Sequence, residues 1–270
     1  MINKDGREVM SDMPNQSEIL ELNCKVAIVT GSSRGIGKEI ALILSKEGAK
    51  VLITGTEEER TKNAAEEVAK QAGSEIDYFV GDLSIEENVI AMTEKVIKRW
   101  DKVDILVNNA GGGVILPFLE HNAETLKKTI DRNLWTCVWS CHKVLPYMVQ
   151  QNYGRIINIG ADSVRNGLWD HAAYNAAKGG VHAITTGLAR EFARYDITIN
   201  TVAPPTVESE PLENIRRKDP ELAKKYIGLI PKGRGAYEDE IADFVRYLAT
   251  DKARFITGQT ISVNGGSTML

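Results

Sequence analysis

Residues 25–37 read KVAIVTGSSRGIG: an apolar, β-branched run of strand length at 25–30, glycines at 31, 35 and 37, and then the apolar-periodic stretch that continues into IALIL. A short buried strand, a tight turn and a helix are predicted in immediate succession. Glycine takes backbone angles closed to other residues and lets a ligand approach the main chain, while the free N–H groups of a helix N-terminus favour an anion. Gly31, Ser33, Arg34, Gly35, Ile36 and Gly37 are therefore candidates for holding a pyrophosphate. The spacing is G-x-x-x-G-x-G, not the G-x-G-x-x-G of the usual dinucleotide fingerprint. Three glycines alone would fit any flexible turn, so the motif takes its weight from the strand before it and the helix after it.

Outward from this unit the same rhythm repeats. Apolar runs at 50–54, 76–80, 104–107, 155–159, 197–202 and 260–263 bring the strand count to seven. Helices are expected over roughly 35–48, 57–72, 84–100, 123–151, 172–195 and 238–249. Crossovers of that length join parallel strands, so the expected fold is α/β, one doubly wound Rossmann-type sheet of seven parallel strands with helices on both faces. One stretch breaks the rhythm: 204–233 is long, charged and punctuated by prolines, and is expected to be a lid or binding loop over the domain of residues 23–270.

The composition narrows the function class. With 270 residues, 43% of them hydrophobic, the chain can bury one large core. A net charge of -4 gives no basic footprint for a nucleic-acid backbone. Cys24, Cys137 and Cys141 are odd in number and lack metal-site spacing, and the four histidines stand in no ligand pattern, so a reducing compartment and no catalytic metal are expected. Residues 1–22 are polar and are read as a flexible arm. No apolar run reaches membrane-spanning length, which gives the expectation of a cytoplasmic protein without a membrane partner.

Further motifs follow in order. They are Asp82-Leu83 after the third strand, Asn108-Asn109-Ala110-Gly111 after the fourth, Asn133 in the next helix, and Tyr174-Asn175-Ala176-Ala177-Lys178 after the fifth. This ordered set, from about residue 25 to the C-terminus, resembles the classical short-chain dehydrogenase/reductase family. The glycine loop and the TGT segment at 54–56 are similar to those of β-ketoacyl carrier-protein reductases. The GGG at 111–113 and the LPYM at 145–148 are similar to those of dehydrogenases of cyclic alcohols and cyclohexadiene diols. The resemblance implies a nicotinamide cofactor held by the glycine loop, Thr56, Asp82, Leu83, Asn109, Ala110, Gly111, Val207 and Ser209. It also implies a homotetramer built on the helix bearing Tyr174 and on helix 123–151, whose Trp135 and Trp139 exceed what packing on a sheet needs.

Tyr174 and Lys178 are four apart and share a helix face. A cation beside a phenol lowers its pKa toward the working range, which suits Tyr174 to pass a proton to or from a substrate oxygen. By resemblance Lys178 also holds the nicotinamide ribose, and Asn133 helps hold a proton-relaying water. One position departs from the family. Thirteen residues before the tyrosine, where the family has a serine that hydrogen-bonds the substrate oxygen, stands Ala161. Ser163 could take over if the strand end is bulged; the alternatives are that Ala161 is an introduced change, or that Ser163 is an ordinary loop serine and activity is reduced.

The residue after the second strand that binds the ribose 2′-OH in NAD enzymes is acidic; here it is Gly55, and Arg34 lies in the glycine loop. A guanidinium matches a phosphate, so NADP(H) is favoured over NAD(H), with Glu57, Glu58 and Glu59 as the opposing feature. Trp169 and His171, just before Tyr174, are candidates for lining the substrate pocket, with Asp162 and Asp170 in the same stretch. The expected activity is hydride exchange between an alcohol and a ketone of a small molecule. Two other classes stay open: a catalytically weak NADP-binding sensor or scaffold, and a lyase or epimerase on the same fold.

Overall fold

The computed structural model describes residues 20–269. Seven strands and their connecting helices follow in order: β1 (Val26–Val29), α1 (Gly35–Lys46), β2 (Lys50–Gly55), α2 (Glu58–Ala72), β3 (Ile76–Val80), α3 (Glu86–Trp100) and β4 (Ile105–Asn108). Then come α4 (Ala123–Ile130), α5 (Thr136–Gln151), β5 (Tyr153–Ile159), α6 (Ser163–Asn166), α7 (Ala172–Glu191), β6 (Asp196–Ala203), α8 (Glu210–Lys218), α9 (Pro220–Ile227), α10 (Glu238–Ala249) and β7 (Thr260–Ser262). All seven expected strands are present, in the order β3-β2-β1-β4-β5-β6-β7, and every pairing is parallel.

Strand alternation sorts the core into two layers. Ala27 and Val29 face α1, α2 and α10, where Ile40, Leu44, Val68 and Val245 are buried; Val26 and Ile28 face α3, α5 and α7, with Met92, Val96, Val144 and Met148. Sheets buried on both faces read as continuous apolar runs, which is why the strands were legible. The chain leaves β3 and returns beside β1 as β4, so the strand order reverses between β1 and β4. Their carboxyl ends open a crevice there. Thr30, just past β1, ties its two walls together: its Oγ1 accepts the N–H groups of Asn109 at 3.0 Å and Ala110 at 2.9 Å.

Two expectations are corrected and a third is filled in. The helix expected over 123–151 is interrupted by a π-helical turn at Asp131–Trp135, a one-residue excess that turns Asn133 inward to a buried position. The segment 204–233 contains two helices, α8 and α9, each with proline in its first turn and the second capped by Asp219, which accepts the Leu222 N–H at 3.0 Å. Residues 1–19 of the expected arm lie outside the described residues. Its last part is packed: Leu22 is fully buried and donates its N–H to the Glu47 carbonyl at 3.0 Å.

Candidate active site

At the switch point the loop after β1 is shaped by its glycines. Gly31 has φ +60°, and a Cβ there would lie 2.7 Å from Ala110 Cα; one on Gly37 would lie 2.4 Å from Asn109 Nδ2 and 2.6 Å from the Gly31 carbonyl oxygen. No side chain larger than hydrogen fits either place. The first turn of α1 holds no acidic residue, and Arg34 at its N-cap makes no capping bond, so the helix N-terminus keeps its N–H groups for an anion. These residues line a groove of about 320 Å³ that shares Ile36, Asn109, Gly111, Val207, Ser209 and Pro211 with a deeper cavity of about 380 Å³. The cradle and its charge preference fit the diphosphate of a dinucleotide.

The deeper cavity holds Tyr174 and Lys178 from α7, Ala161 and Ser163 from the segment after β5, and Leu212, Ile215, Tyr226, Leu229 and Ile230 from the helical cover. Lys178 is buried and donates to the Ile159 carbonyl at 2.7 Å, with Nζ 6.0 Å from the centroid of the Tyr174 ring. Burial lowers the Lys178 pKa to about 8. Burial also raises that of Tyr174 to about 12, opposite in direction to what the sequence suggested. The reason is that desolvation penalises the charged form of both groups, and it outweighs their mutual attraction across that distance.

Asn133 is held by its surroundings. Its Oδ1 accepts from Gly112 N at 3.1 Å, and its Nδ2 donates to the carbonyls of Gly112 at 3.0 Å and Thr129 at 2.8 Å. It thereby fixes the loop after β4 beside Lys178, where a Cβ on Gly111 would be 2.8 Å from Asn133 Oδ1 and 3.4 Å from Lys178 Nζ.

The bulge after β5 that would let Ser163 take over is absent. β5 pairs without interruption through Ile159, and Gly160 donates to Val202 at 2.8 Å, so Ala161 keeps the position the sequence assigns it. A Cβ on Gly160 would sit 2.4 Å from His182 Nε2, which itself accepts the Ala161 N–H at 3.3 Å. Ser163 instead opens α6 and donates its hydroxyl proton to Asn175 Oδ1 at 2.6 Å. It shows the cavity lone pairs, not a free donor.

Other sequence candidates divide. Val207 and Ser209 line both cavities, with Ser209 Oγ donating to the Val207 carbonyl at 3.0 Å. Arg34 is on the groove and pairs with Glu210 of α8 at 3.7 Å, both side chains well exposed. Thr56, Asp82 and Leu83 line neither cavity: Thr56 is exposed, Asp82 accepts from Ser84, and the Leu83 side chain packs into the core. Trp169 is also outside, contrary to expectation. It lies 44% exposed under Lys225, whose Nζ is 3.6 Å from the ring centroid, because the cation holds it on the outer side of the cover. His171 does line the cavity.

Sequence reasoning missed Tyr226, for which an apolar position in a charged helix is the sole signal, and it missed what Asp162 does. Asp162 is fully buried and accepts from Asn166 at 3.1 Å, Thr268 at 3.0 Å and Asn264 at 2.9 Å, pinning the C-terminal segment to the cavity wall. Among the described residues no group of three or more His, Cys, Asp or Glu is placed to hold a metal, and no helix is long and apolar enough to cross a membrane.

The sequence model of the family described as "Enoyl-(Acyl carrier protein) reductase" matches residues 31–268. A 2,3-dihydroxy-2,3-dihydro-p-cumate dehydrogenase of Pseudomonas putida is 53% identical over 93% of this chain and 97% of its own length. The chain belongs to the short-chain dehydrogenase/reductase family. A 3-oxoacyl-[acyl-carrier-protein] reductase of Aquifex aeolicus is 35% identical over 92% of the chain and 98% of its own length. The crystal structure of levodione reductase superposes with a TM-score of 0.86 at 27% identity, covering 91% of this chain and 98% of that one. As a short-chain dehydrogenase/reductase, the protein is an oxidoreductase of alcohol and ketone groups, in a family that binds a nicotinamide cofactor.

Proposed function

We propose that the protein interconverts a cyclic secondary alcohol and its ketone with NADP(H), Tyr174 giving and taking the proton. The observation that carries this reading is the meeting of Tyr174 and Lys178 in an apolar cavity that opens onto the glycine-lined groove. The nicotinamide, when bound, supplies or accepts the hydride. Tyr174 supplies the proton to a ketone oxygen, a direction favoured by a hydroxyl that burial keeps protonated. Lys178 stands ready to offset the phenolate that this leaves, held in place by the Ile159 carbonyl. Asn133 positions the loop of Gly111 and Gly112, and Val207 and Ser209 border the same space. Ser163 fixes the first turn of α7 through Asn175.

The preference for NADP rests on Gly55 and Arg34. A Cβ on Gly55 would lie 2.2 Å from Thr61 Oγ1, leaving no room for an acidic side chain to claim the ribose hydroxyls. Among the described residues Arg34 has only an exposed partner, which a phosphate can replace, and Glu57 is occupied by Arg60 at 2.9 Å. The cyclic substrate follows from the name of the 53% identical relative and from the aliphatic walls of the cavity. Trp135, 42% exposed and stacked on Trp139, supports a homotetramer through α5, and the unpaired Cys137 and Cys141 suit the reducing cytoplasm.

Ala161 supports a second reading, a cofactor-binding protein of weak turnover, because the cavity wall lacks a donor at that position. The test is the absorbance of reduced nicotinamide with NADPH, and separately NADH, over a panel of cyclic ketones and β-ketoacyl thioesters. The expected result is oxidation of NADPH that falls about 10²- to 10⁴-fold in Tyr174→Phe. Tight NADPH binding without turnover on any substrate would favour the second reading.

A further inference from the structure

The groove that carries the anion site also carries an acid. Glu238, the first residue of α10, lines it together with Arg34, Gly35 and Gly37. Its Oε1 lies 3.6 Å from where a Cβ on Gly35 would stand, so the carboxylate sits at the first residue of α1, the turn whose N–H groups are left for an anion. The start of α10 is fixed there. Arg234 binds Glu240 through both terminal nitrogens, at 2.8 and 2.6 Å, Glu240 accepts the Tyr237 N–H at 2.8 Å, and Ile241 is buried in the same core layer as Ile40 of α1. The charged groups around Glu238 are Lys38 and Glu39 of α1, Asp239 beside it on α10, and Arg34 and Glu210 on the same groove. Both cations are engaged elsewhere, Lys38 with Glu67 of α2 and Arg34 with Glu210. Among the described residues the Glu238 carboxylate has no ion pair or hydrogen bond of its own. Half-buried, it is held above the ordinary carboxylate range by desolvation first and by Glu39 and Asp239 next, with Lys38 opposing.

We propose that Glu238 sets the affinity of the groove for the dinucleotide: ionised it repels the diphosphate and weakens its hold, protonated it does not, and binding takes up a proton. This rests on the reading of the groove as the dinucleotide site. A diphosphate brings negative charge to the N-terminus of α1, which favours the protonated carboxyl, so Glu238 titrates higher in the complex than in the free protein. By linkage the dinucleotide Kd is lowest where Glu238 is protonated in both states. It rises with pH through the interval between the two titrations and levels off above the higher one. At the rim of a solvated groove the repulsion is worth about 3- to 10-fold in Kd. Glu39 and Asp239 do not line the groove, so each acts on the ligand chiefly by way of Glu238.

The test measures the Kd of NADH and of NADPH from about pH 5 to about pH 9 in the wild type, Glu238→Gln, Glu39→Gln and Asp239→Asn, with calorimetry in two buffers of different ionisation enthalpy to count the protons taken up. NADH is the decisive ligand, because the 2′-phosphate of NADPH titrates near about 6 as phosphate monoesters do. Glu238→Gln should bind NADH as the wild type does at the acid end and about 3- to 10-fold tighter at the alkaline end, and it should lose the proton uptake. Asp239→Asn removes the same charge one residue away and should leave the alkaline Kd within about 2-fold of wild type. Glu39→Gln should move the wild-type rise to lower pH without changing its size. A Glu238→Gln protein whose Kd follows that of the wild type at every pH, or an Asp239→Asn protein that tightens as much, overturns the inference and leaves the dinucleotide site standing. A wild type that binds neither NADH nor NADPH overturns both.

Discussion

Lys178→Met should make the protein more stable and inactive at once. Lys178 is 4% exposed and has no carboxylate partner among the described residues; burial lowers its pKa from 10.5 to about 8. That difference corresponds to about 3 kcal/mol of uncompensated cost for keeping the ammonium in the fold at neutral pH. Methionine fills the same space without the charge and forfeits the bond to the Ile159 carbonyl, a loss of about 1 kcal/mol. The net gain of about 2 kcal/mol should raise the Tm of the cofactor-free protein by several degrees, at roughly 2–4 °C per kcal/mol for a chain of this size. The gain depends on pH with a definite sign. Below about 8 the lysine is protonated in both states and the folded wild type bears the full cost. Between about 8 and 10.5 the unfolded chain holds a proton that the folded one has shed, so wild-type stability rises with pH relative to the variant, and the difference closes above 10.5. Thermal melts of both proteins at pH 7 and at pH 10.5 measure it. A variant no more stable than wild type at pH 7, or an advantage of equal size at both pH values, would refute the reasoning.

Two other outcomes are expected. Gly55→Asp should not yield an NAD enzyme: its Cβ would meet Thr61 Oγ1 at 2.2 Å, with Thr61 fully buried and donating to the Glu57 carbonyl, so the variant should lose about 1–3 kcal/mol in thermal melts. Adding Thr61→Gly should recover part of that loss, and a single variant that melts like wild type while preferring NADH would contradict the packing argument. On the proposed assembly through α5, Trp135→Glu should shift the mass measured by light scattering to a smaller species while the far-UV spectrum is kept, since it places a charge on the exposed face of the Trp135–Trp139 stack; an unchanged mass would contradict an interface at that stack.

What could be read from sequence was whatever a short window decides. A parallel strand buried on both faces is a run of β-branched residues, and the glycine turn is a contiguous motif between a strand and a helix, so all seven strands and that turn were legible, although the contacts that demand Gly31 and Gly37 come from Ala110 and Asn109 across the switch point. The π turn around Asn133 adds one residue within a long helical stretch and leaves too slight a change of period to see. Trp169 and His171 are two residues apart and looked equivalent, yet a cation from α9 draws one outward while the other turns its Nδ1 to the carbonyl of its neighbour. The partner His171 does have in the cavity, Tyr226, is 55 positions further along the chain and comes to it only through the cover.

The pKa directions belong to the same category. An i, i+4 lysine and tyrosine on an exposed helix would lower the phenol, whereas these two share a site whose walls come from β5, the loop after β4 and the cover, and the desolvation those walls impose decides both signs. The same walls explain why position 161 cannot be compensated by sliding the chain. His182 behind Gly160, the uninterrupted pairing of β5 with β6, and the buried Asp162 that anchors Asn166, Asn264 and Thr268 hold the backbone on either side of Ala161. Ser163 is thereby kept in α6 facing Asn175, so the proposed reaction asks the hydroxyl of Tyr174 to carry the contact with the substrate oxygen at this wall.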